Sequence, residues 1–236
     1  MDCWRVKQLR MLAEPVSDAA VIAVLAELAH ELEFDYVGYT VRATLPVSRR
    51  RTAGLSNYPE AWQRLYAERN YDQVDPVLDE SERSVLPFLW TEALFAAQPE
   101  LRAEARLHGL EVGWSQACYD GRGVGGLLTL ARPRDPISPV ELRYKTSRMS
   151  WLAQATHAAL AERVRARLVP EAAASLTIRE LDVLRWTADG HTSAEVSDIL
   201  AISERTVNYH INKSLLKLNA LNKTAAVVKA VRLGLL

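Results

Sequence analysis

The chain has 236 residues, 49% of them hydrophobic, which is enough apolar material for two modest domains, each with a core. Its 29 basic residues balance its 29 acidic ones, so overall charge gives no pointer to nucleic acid. No apolar run approaches the roughly 20 residues of a membrane span, residues 1–15 lack a signal-peptide core, and Cys3 and Cys118 make neither a disulfide framework nor a metal-ligand spacing; a cytoplasmic protein without a membrane partner is the expectation.

In chain order, Val21, Ile22, Leu25, Leu28, Ala29 and Leu32 recur at three- and four-residue steps, which predicts an amphipathic helix over residues 17–32. FDYVGYTV, residues 34–41, is aromatic and β-branched and predicts a strand. Pro59 opens a helix to about Arg69, and Asp75-Pro76 reads as another helix start with Asp75 as its cap. Residues 112–119 and 124–131 are β-like runs around the glycine-rich DGRGVGG, a hairpin signature. Ser138-Pro-Val-Glu141 predicts a capping box, with a long helix to about Leu168. Pro170 and the alanines after it mark a linker. The division is therefore residues 1–168, a linker over 169–175, and residues 176–236. The first part combines a sheet with helices and the second is all helix.

The C-terminal part reads as four helices. Thr177-Ile-Arg-Glu180 is a capping box followed by Leu181, Leu184 and Ala188 on one face, and Gly190 ends that helix. Thr192-Ser-Ala-Glu195 opens a short helix through Val196, Ile199 and Leu200. Ala201-Ile202 turns the chain and Ser203 caps a third helix; a fourth runs over residues 224–233. Short helix, tight turn and third helix have the spacing of a helix-turn-helix. On the third helix Val207, Ile211, Leu215 and Leu218 form the buried stripe, Arg205, Asn208, Tyr209, Asn212 and Lys213 point away from it, and Thr206, His210 and Lys217 flank it. Outward amides can pair with base edges, while cations and hydroxyls, Thr192 and Ser203 among them, reach phosphates. After Glu204 the chain has no acidic residue but carries Arg205, Lys213, Lys217, Lys223, Lys229 and Arg232, a local basic footprint. An ordinary surface helix with a polar outer face is the alternative.

This segment resembles the DNA-binding domain of LuxR-type regulators over its whole length: L-T-x-R-E, W-x-A-x-G-x-T, I-S-x-R-T-V-x-x-H, then K-L and G-L-L. The family's characteristic Glu, Leu and Gly fall on Glu180, Leu184 and Gly190. His191 and Asn208 depart from it, each standing where a cationic residue is usual.

In the N-terminal part Tyr58, Trp62, Tyr66 and Trp90 gather around one carboxylate, Asp75, with Trp62 and Tyr66 one helical turn apart. Aromatic walls with a few polar anchors suit a small amphiphile. An aromatic core in which Asp75 merely caps a helix is the other reading of the same residues. LSNYPEAW, the following Tyr66, Asp75-Pro76, Trp90 and HGLEVGWS resemble the acyl-homoserine-lactone-binding domain of the quorum-sensing LuxR branch, with the QscR-like receptors as subgroup. The resemblance implies an α+β protein: an N-terminal α-β-α sandwich with an antiparallel sheet, before the all-α helix-turn-helix domain. It also implies that Trp62 donates to the lactone carbonyl, Asp75 accepts the ligand amide N–H, and Tyr58 and Thr129 contact the acyl carbonyl. Trp90 would pack on the lactone ring, and Tyr66 would border the acyl chain. Gly113 matches a family glycine, assigned here to the strand's backbone. Ala117 departs from a common proline. The implied partners are a small-molecule autoinducer, double-stranded operator DNA, a second copy of the chain and RNA polymerase, with no cofactor.

Competing chemistry is poorly supported. Cys118, His108 and Asp120 lack a nucleophile-elbow or cysteine-protease context. GRGVGG is followed by no helix-opening Gly-Lys-Ser/Thr, and His191 and His210 have no partners at metal-ligand spacing. A lactone-responsive regulator, a regulator sensing another molecule or none, and a lactone-cleaving enzyme fused to a helical module are the three hypotheses. The absent base–nucleophile pair counts against the last.

Overall fold

The computed structural model describes residues 17–43, 51–120, 124–168 and 175–236. They divide into an N-terminal unit ending at Arg165 and a C-terminal unit beginning at Ala166. The linker expected over 169–175 lies, apart from Ser175, outside the described residues, as does the tip of the expected hairpin at 121–123.

The N-terminal unit is built on a five-stranded antiparallel sheet in the order β2-β1-β5-β4-β3. Its strands are β1 (Tyr36–Ala43), β2 (Arg51–Ser56), β3 (Phe88–Leu89), β4 (Val112–Tyr119) and β5 (Gly125–Arg132). Its helices are α1 (Asp18–His30), α2 (Glu60–Glu68), α3 (Pro76–Arg83), α4 (Pro99–Leu107) and α5 (Pro139–Leu168). The central strands β4 and β5 are buried over nearly their whole length, because both sheet faces are covered; this explains their continuous apolar runs. On one face Tyr39 of β1 meets His157 of α5, its phenol oxygen 2.8 Å from Nδ1. On the other, Leu127 and Ala131 of β5 join Trp62, Val77, Leu101 and Ala105, from α2, α3 and α4, in one core. The unit is thus an α-β-α sandwich, as the resemblance implies.

Ser17 caps α1 as a side-chain acceptor for Ala20 N. The box expected at Ser138 and Glu141 is half formed. Glu141 N donates to Ser138 Oγ at 3.1 Å, but the Glu141 carboxylate takes a forked pair of bonds from Arg132, at 2.9 and 2.8 Å, and one from Lys145 at 2.8 Å. A buried guanidinium competes better for a carboxylate than a backbone N–H does. Lys145 also pairs with Glu33 and donates to Leu32 O at 2.9 Å. This network fastens the end of β5 and the α1–β1 turn to the start of α5.

The C-terminal unit holds α6 (Ile178–Ala188), α7 (Ser193–Leu200), α8 (Glu204–Lys217) and α9 (Lys223–Arg232). Both expected capping boxes form, at Thr177/Glu180 and Thr192/Glu195, and Ser203 and Asn222 cap the other two helices. Gly190 is left-handed, with φ 98°. Val183, Val196, Val207 and Ile211 form the core, with Trp186, Leu200, Ile202 and Leu215 packed on it. Two expected core positions, Ala188 and Ile199, are exposed. The buried residues of α6 are Glu180, Val183 and the expected Leu184, and Val196 alone is buried on α7. The stripe is narrower than the sequence pattern suggests because α7 is only two turns long. On α9, Ala226 and Ala230 are buried while Val228 and Val231 are 37% and 53% exposed.

Candidate ligand cavity and nucleic-acid interface

Between the sheet and α2, α3 and α4 lies a cavity of about 400 Å³, inside the range of small-molecule sites. All six residues expected to bind ligand line it: Tyr58, Trp62, Tyr66, Asp75, Trp90 and Thr129. Separate elements deliver them, with Tyr58 in the connection between β2 and α2 and Trp90 directly after β3. Helix α2 presents Trp62 and Tyr66 on one face, with rings 5.6 Å apart. The turn into α3 places Asp75. Strand β5 presents Thr129, directly opposite Gly38 of β1 and Ser115 of β4.

Asp75 uses both oxygens. Oδ1 accepts from Val77 N at 2.8 Å, the helix cap, and Oδ2 accepts from the Tyr66 phenol at 2.8 Å. The two readings of Asp75 left open by the sequence are therefore compatible: the cap occupies one oxygen and leaves the other among the cavity aromatics. Withdrawal from water, and then the Asp75 charge, push the Tyr66 and Tyr58 phenols well above their ordinary range, so both are neutral hydroxyl donors.

Trp90 donates from its indole to Ser115 Oγ at 3.0 Å, and Ser115 Oγ lies 3.0 Å from Thr129 Oγ1. The Trp90 ring lies against Gly113: a Cβ there would sit 2.1 Å from Trp90 Cδ2. This corrects the reason given for Gly113. The described glycines with positive φ are Gly109, Gly190 and Gly234, so the strand does not demand glycine at 113; the indole does. Gly38 has the same relation to Tyr58, whose hydroxyl oxygen would lie 2.5 Å from an added Cβ. Sequence reasoning missed Gly38, Phe95, Leu110 and Leu127 as cavity residues, and Ser115 as the acceptor for the Trp90 indole behind the cavity wall. Only the cross-strand register, unreadable from one strand at a time, brings Ser115, Thr129 and Gly38 into one row.

Cys118 is buried, and burial pushes its thiol up to about 12. Its ladder partner Gly126 faces His157, whereas His108 packs on Trp62, so these residues form no nucleophile–base pair. Among the described residues there is no metal-type cluster and no helix long and apolar enough to cross a membrane.

On α8, Arg205, Asn208, Tyr209, Asn212 and Lys213 are exposed, and Thr206 and His210 lie half-buried at the flank. Lys213 sits 5.6 Å over the Tyr209 ring. Asn208 Oδ1 accepts from Ser193 Oγ at 2.9 Å, tying the two helices of the motif together. Thr192 and Ser203, as caps, stand at the N-termini of α7 and α8. Lys217 is placed differently: its ammonium lies 2.7 Å from Glu180 Oε2. Burial alone would raise the Glu180 carboxyl, but the Lys217 ammonium and the Thr177 backbone and hydroxyl outweigh it and hold the group below its usual range.

A sheet-backed cavity with sparse polar anchors, joined to a helix-turn-helix with an exposed polar third helix, defines a small-molecule-responsive DNA-binding regulator. Residues 17–160 match the autoinducer binding domain, and residues 174–230 match the bacterial regulatory proteins of the luxR family. The chain is 38% identical to the transcriptional activator protein AnoR of Acinetobacter nosocomialis, over 100% of both sequences. Crystals of Escherichia coli SdiA in space group P6522 give a structure similar to it at TM-score 0.88 and 34% identity, covering 98% of this chain and 97% of that one. SdiA in complex with octanoyl-rac-glycerol matches at TM-score 0.84 and 34% identity, covering 97% and 93%. The chain belongs to the LuxR family of quorum-sensing transcriptional regulators; it binds a small molecule and DNA and is not an enzyme.

Proposed function

We propose that the cavity binds an N-acyl-homoserine lactone and that the chain reads operator DNA as a homodimer. The observation that carries the ligand assignment is Asp75: a carboxylate with its second oxygen turned toward Tyr66 in an aromatic-walled cavity is matched by an amide N–H of the ligand. Tyr58 and Thr129 serve its amide carbonyl, Trp62 and Trp90 its lactone ring, and Tyr66 the start of the acyl chain. A QscR-like receptor, one without a dedicated synthase, is the finer placement the segments around Tyr58 and Gly113 support.

On DNA, Asn208 and Asn212 face base edges, while Arg205, Thr206, His210, Lys213, Thr192 and Ser203 serve the backbone. The Glu180 ion pair gives Lys217 a bracing part in this arrangement. The exposed Val228 and Val231 on α9 supply an apolar face for a second copy, as two-fold regulators require. RNA polymerase is the downstream partner of the DNA-bound dimer, and the cytoplasm its compartment.

A second reading, that the ligand is another medium-chain acyl compound, is favoured by the SdiA complex with octanoyl-rac-glycerol. The test is mass spectrometry of small molecules co-purifying with the chain from cells supplied with both mixed acyl-homoserine lactones and acylglycerols. Retention of a lactone supports the proposal; retention of the glyceride alone, or of neither, overturns it.

A further inference from the structure

The sheet face under the cavity is graduated, because strands carry the side chains of one face at levels two residues apart, about 6.5–7 Å. Trp90 lies on Gly113, which is level with Tyr36 of β1 through Ala131. Tyr58 lies on Gly38, one level further along. Thr40 and Leu127, opposite one another, line the cavity at the next level. Arg42 follows on the same face of β1 and pairs with Glu82 of α3. Helix α3 repeats the pattern: Leu78 lines the cavity, and Glu82, one helical turn on, holds Arg42. Beside this pair Tyr119 lies on Gly125, where a Cβ would sit 2.9 Å from its ring, and donates to Ser81 O of α3 at 3.2 Å. Tyr119 and Gly125 stand one residue past the row Val41–Gly126–Cys118, level with Arg42. On both β1 and α3, then, the cavity lining stops and the next residue on that face ties the last turn of α3 to the sheet.

We propose that Arg42, Glu82 and Tyr119 form an end wall that sets the acyl-chain length the sensor accepts. The proposal rests on the acyl reading of the cavity and adds to it residues that read the tail rather than the head group. Tyr58, over Gly38, marks the level of the acyl carbonyl. From there to Arg42 the strand advances four residues, about 13 Å. A van der Waals separation of about 4 Å leaves about 9 Å. An extended chain advances about 1.25 Å per carbon, so the wall meets a tail about seven carbons past its carbonyl, an octanoyl chain. The Arg42 and Glu82 side chains are 44% and 33% exposed, so the outer side of the wall meets water. A longer tail has to break the pair or fold back on itself.

The test is calorimetric titration of N-hexanoyl-, N-octanoyl-, N-decanoyl- and N-dodecanoyl-homoserine lactone on wild type, Arg42→Ala and Tyr119→Ala. Each methylene the cavity buries adds about fourfold in affinity, so wild type should gain about tenfold from hexanoyl to octanoyl and lose about tenfold from octanoyl to dodecanoyl. With either wall residue truncated the gain should continue, and dodecanoyl should bind at least as tightly as octanoyl. Arg42→Lys, which keeps a cation for Glu82, should keep the wild-type order. The readout is a ratio between tails on one variant, which a general loosening of the fold does not reverse. A wild type that binds dodecanoyl as tightly as octanoyl, or truncated variants that keep the wild-type order, overturns the proposal. Where one truncated variant fails to fold, the other gives the same comparison. The same tails carried on 1-acylglycerols separate wall from head group. A chain that binds glycerides but no lactone defeats the lactone reading, and the glyceride lengths still decide the wall; a chain that binds neither series defeats both.

Discussion

Lys217 and Glu180 form an ion pair of 2.7 Å between the end of α8 and the start of α6. The Glu180 side chain is almost wholly enclosed while that of Lys217 is 36% exposed, so the lysine covers a carboxylate that already closes the α6 capping box. Sequence position alone puts Lys217 beside phosphate; the fold hands it an internal partner.

Lys217→Gln should therefore lower the stability of the C-terminal unit by about 1–3 kcal/mol, because it leaves a buried carboxylate without its cation. It should leave the salt dependence of DNA affinity nearly unchanged. Lys213→Gln, on the exposed face of α8, should reduce that slope by about one counterion. Melting curves and salt titrations of the two variants check this. A Lys217 variant of normal stability and shallower slope would show a phosphate contact instead.

Gly113→Ala should displace Trp90. A methyl 2.1 Å from the indole forces the ring off its seat and breaks its bond to Ser115, at a cost of about 1–3 kcal/mol. The same substitution made in a Trp90→Ala background should be nearly silent in thermal denaturation. Comparable losses in both backgrounds would return the glycine to a backbone role.

The Glu141 latch should show in acid. Arg132 holds the carboxyl down to about 2 against burial, with help from Lys145, from an ordinary value of 4.5. A carboxyl depressed in the folded state stabilises it fully above the unfolded value and loses that contribution as pH falls through the folded one. Between wild type and Glu141→Gln the stability gap should be on the order of 2–3 kcal/mol at neutral pH and should close between about pH 4.5 and pH 2. A gap that stays constant across this window would place the stabilisation elsewhere.

Most of this architecture is legible in the sequence wherever one element carries its own signal. Ser17, Thr177, Thr192 and Ser203 announce their helices because a cap is a local hydrogen bond, and α5 ends where Pro170 approaches. Strand β2, RTAGLS, has no such signal: a glycine interrupts it, and its identity comes from pairing with β1 from Gly38↔Ser56 to Ala43↔Arg51. Strand β3 has two residues, too few for a pattern. Helix α4 was readable, with Pro99 in its first turn and Leu101 and Ala105 a turn apart and buried, yet it stands outside the sequence expectations. In the cavity, aromatic and charged anchors stand out by residue type. Gly38 and Phe95 do not, since small or apolar residues become site residues only through what faces them.

The central claim is that Asp75 anchors ligand with the oxygen its cap does not use, and Asp75→Asn separates the two jobs. The amide keeps an acceptor for Val77 N and can turn its NH₂ toward the Tyr66 oxygen, so the fold should survive with a loss of about 1 kcal/mol. A neutral acceptor facing a ligand N–H is weaker than a carboxylate by about 1–2 kcal/mol. The decisive measurement is the thermal shift induced by N-octanoyl-homoserine lactone, for wild type and Asp75→Asn side by side. The account predicts a variant that melts near the wild-type temperature without ligand and loses most of the ligand-induced shift. An Asn variant with an undiminished shift would contradict it and remove Asp75 from the ligand site.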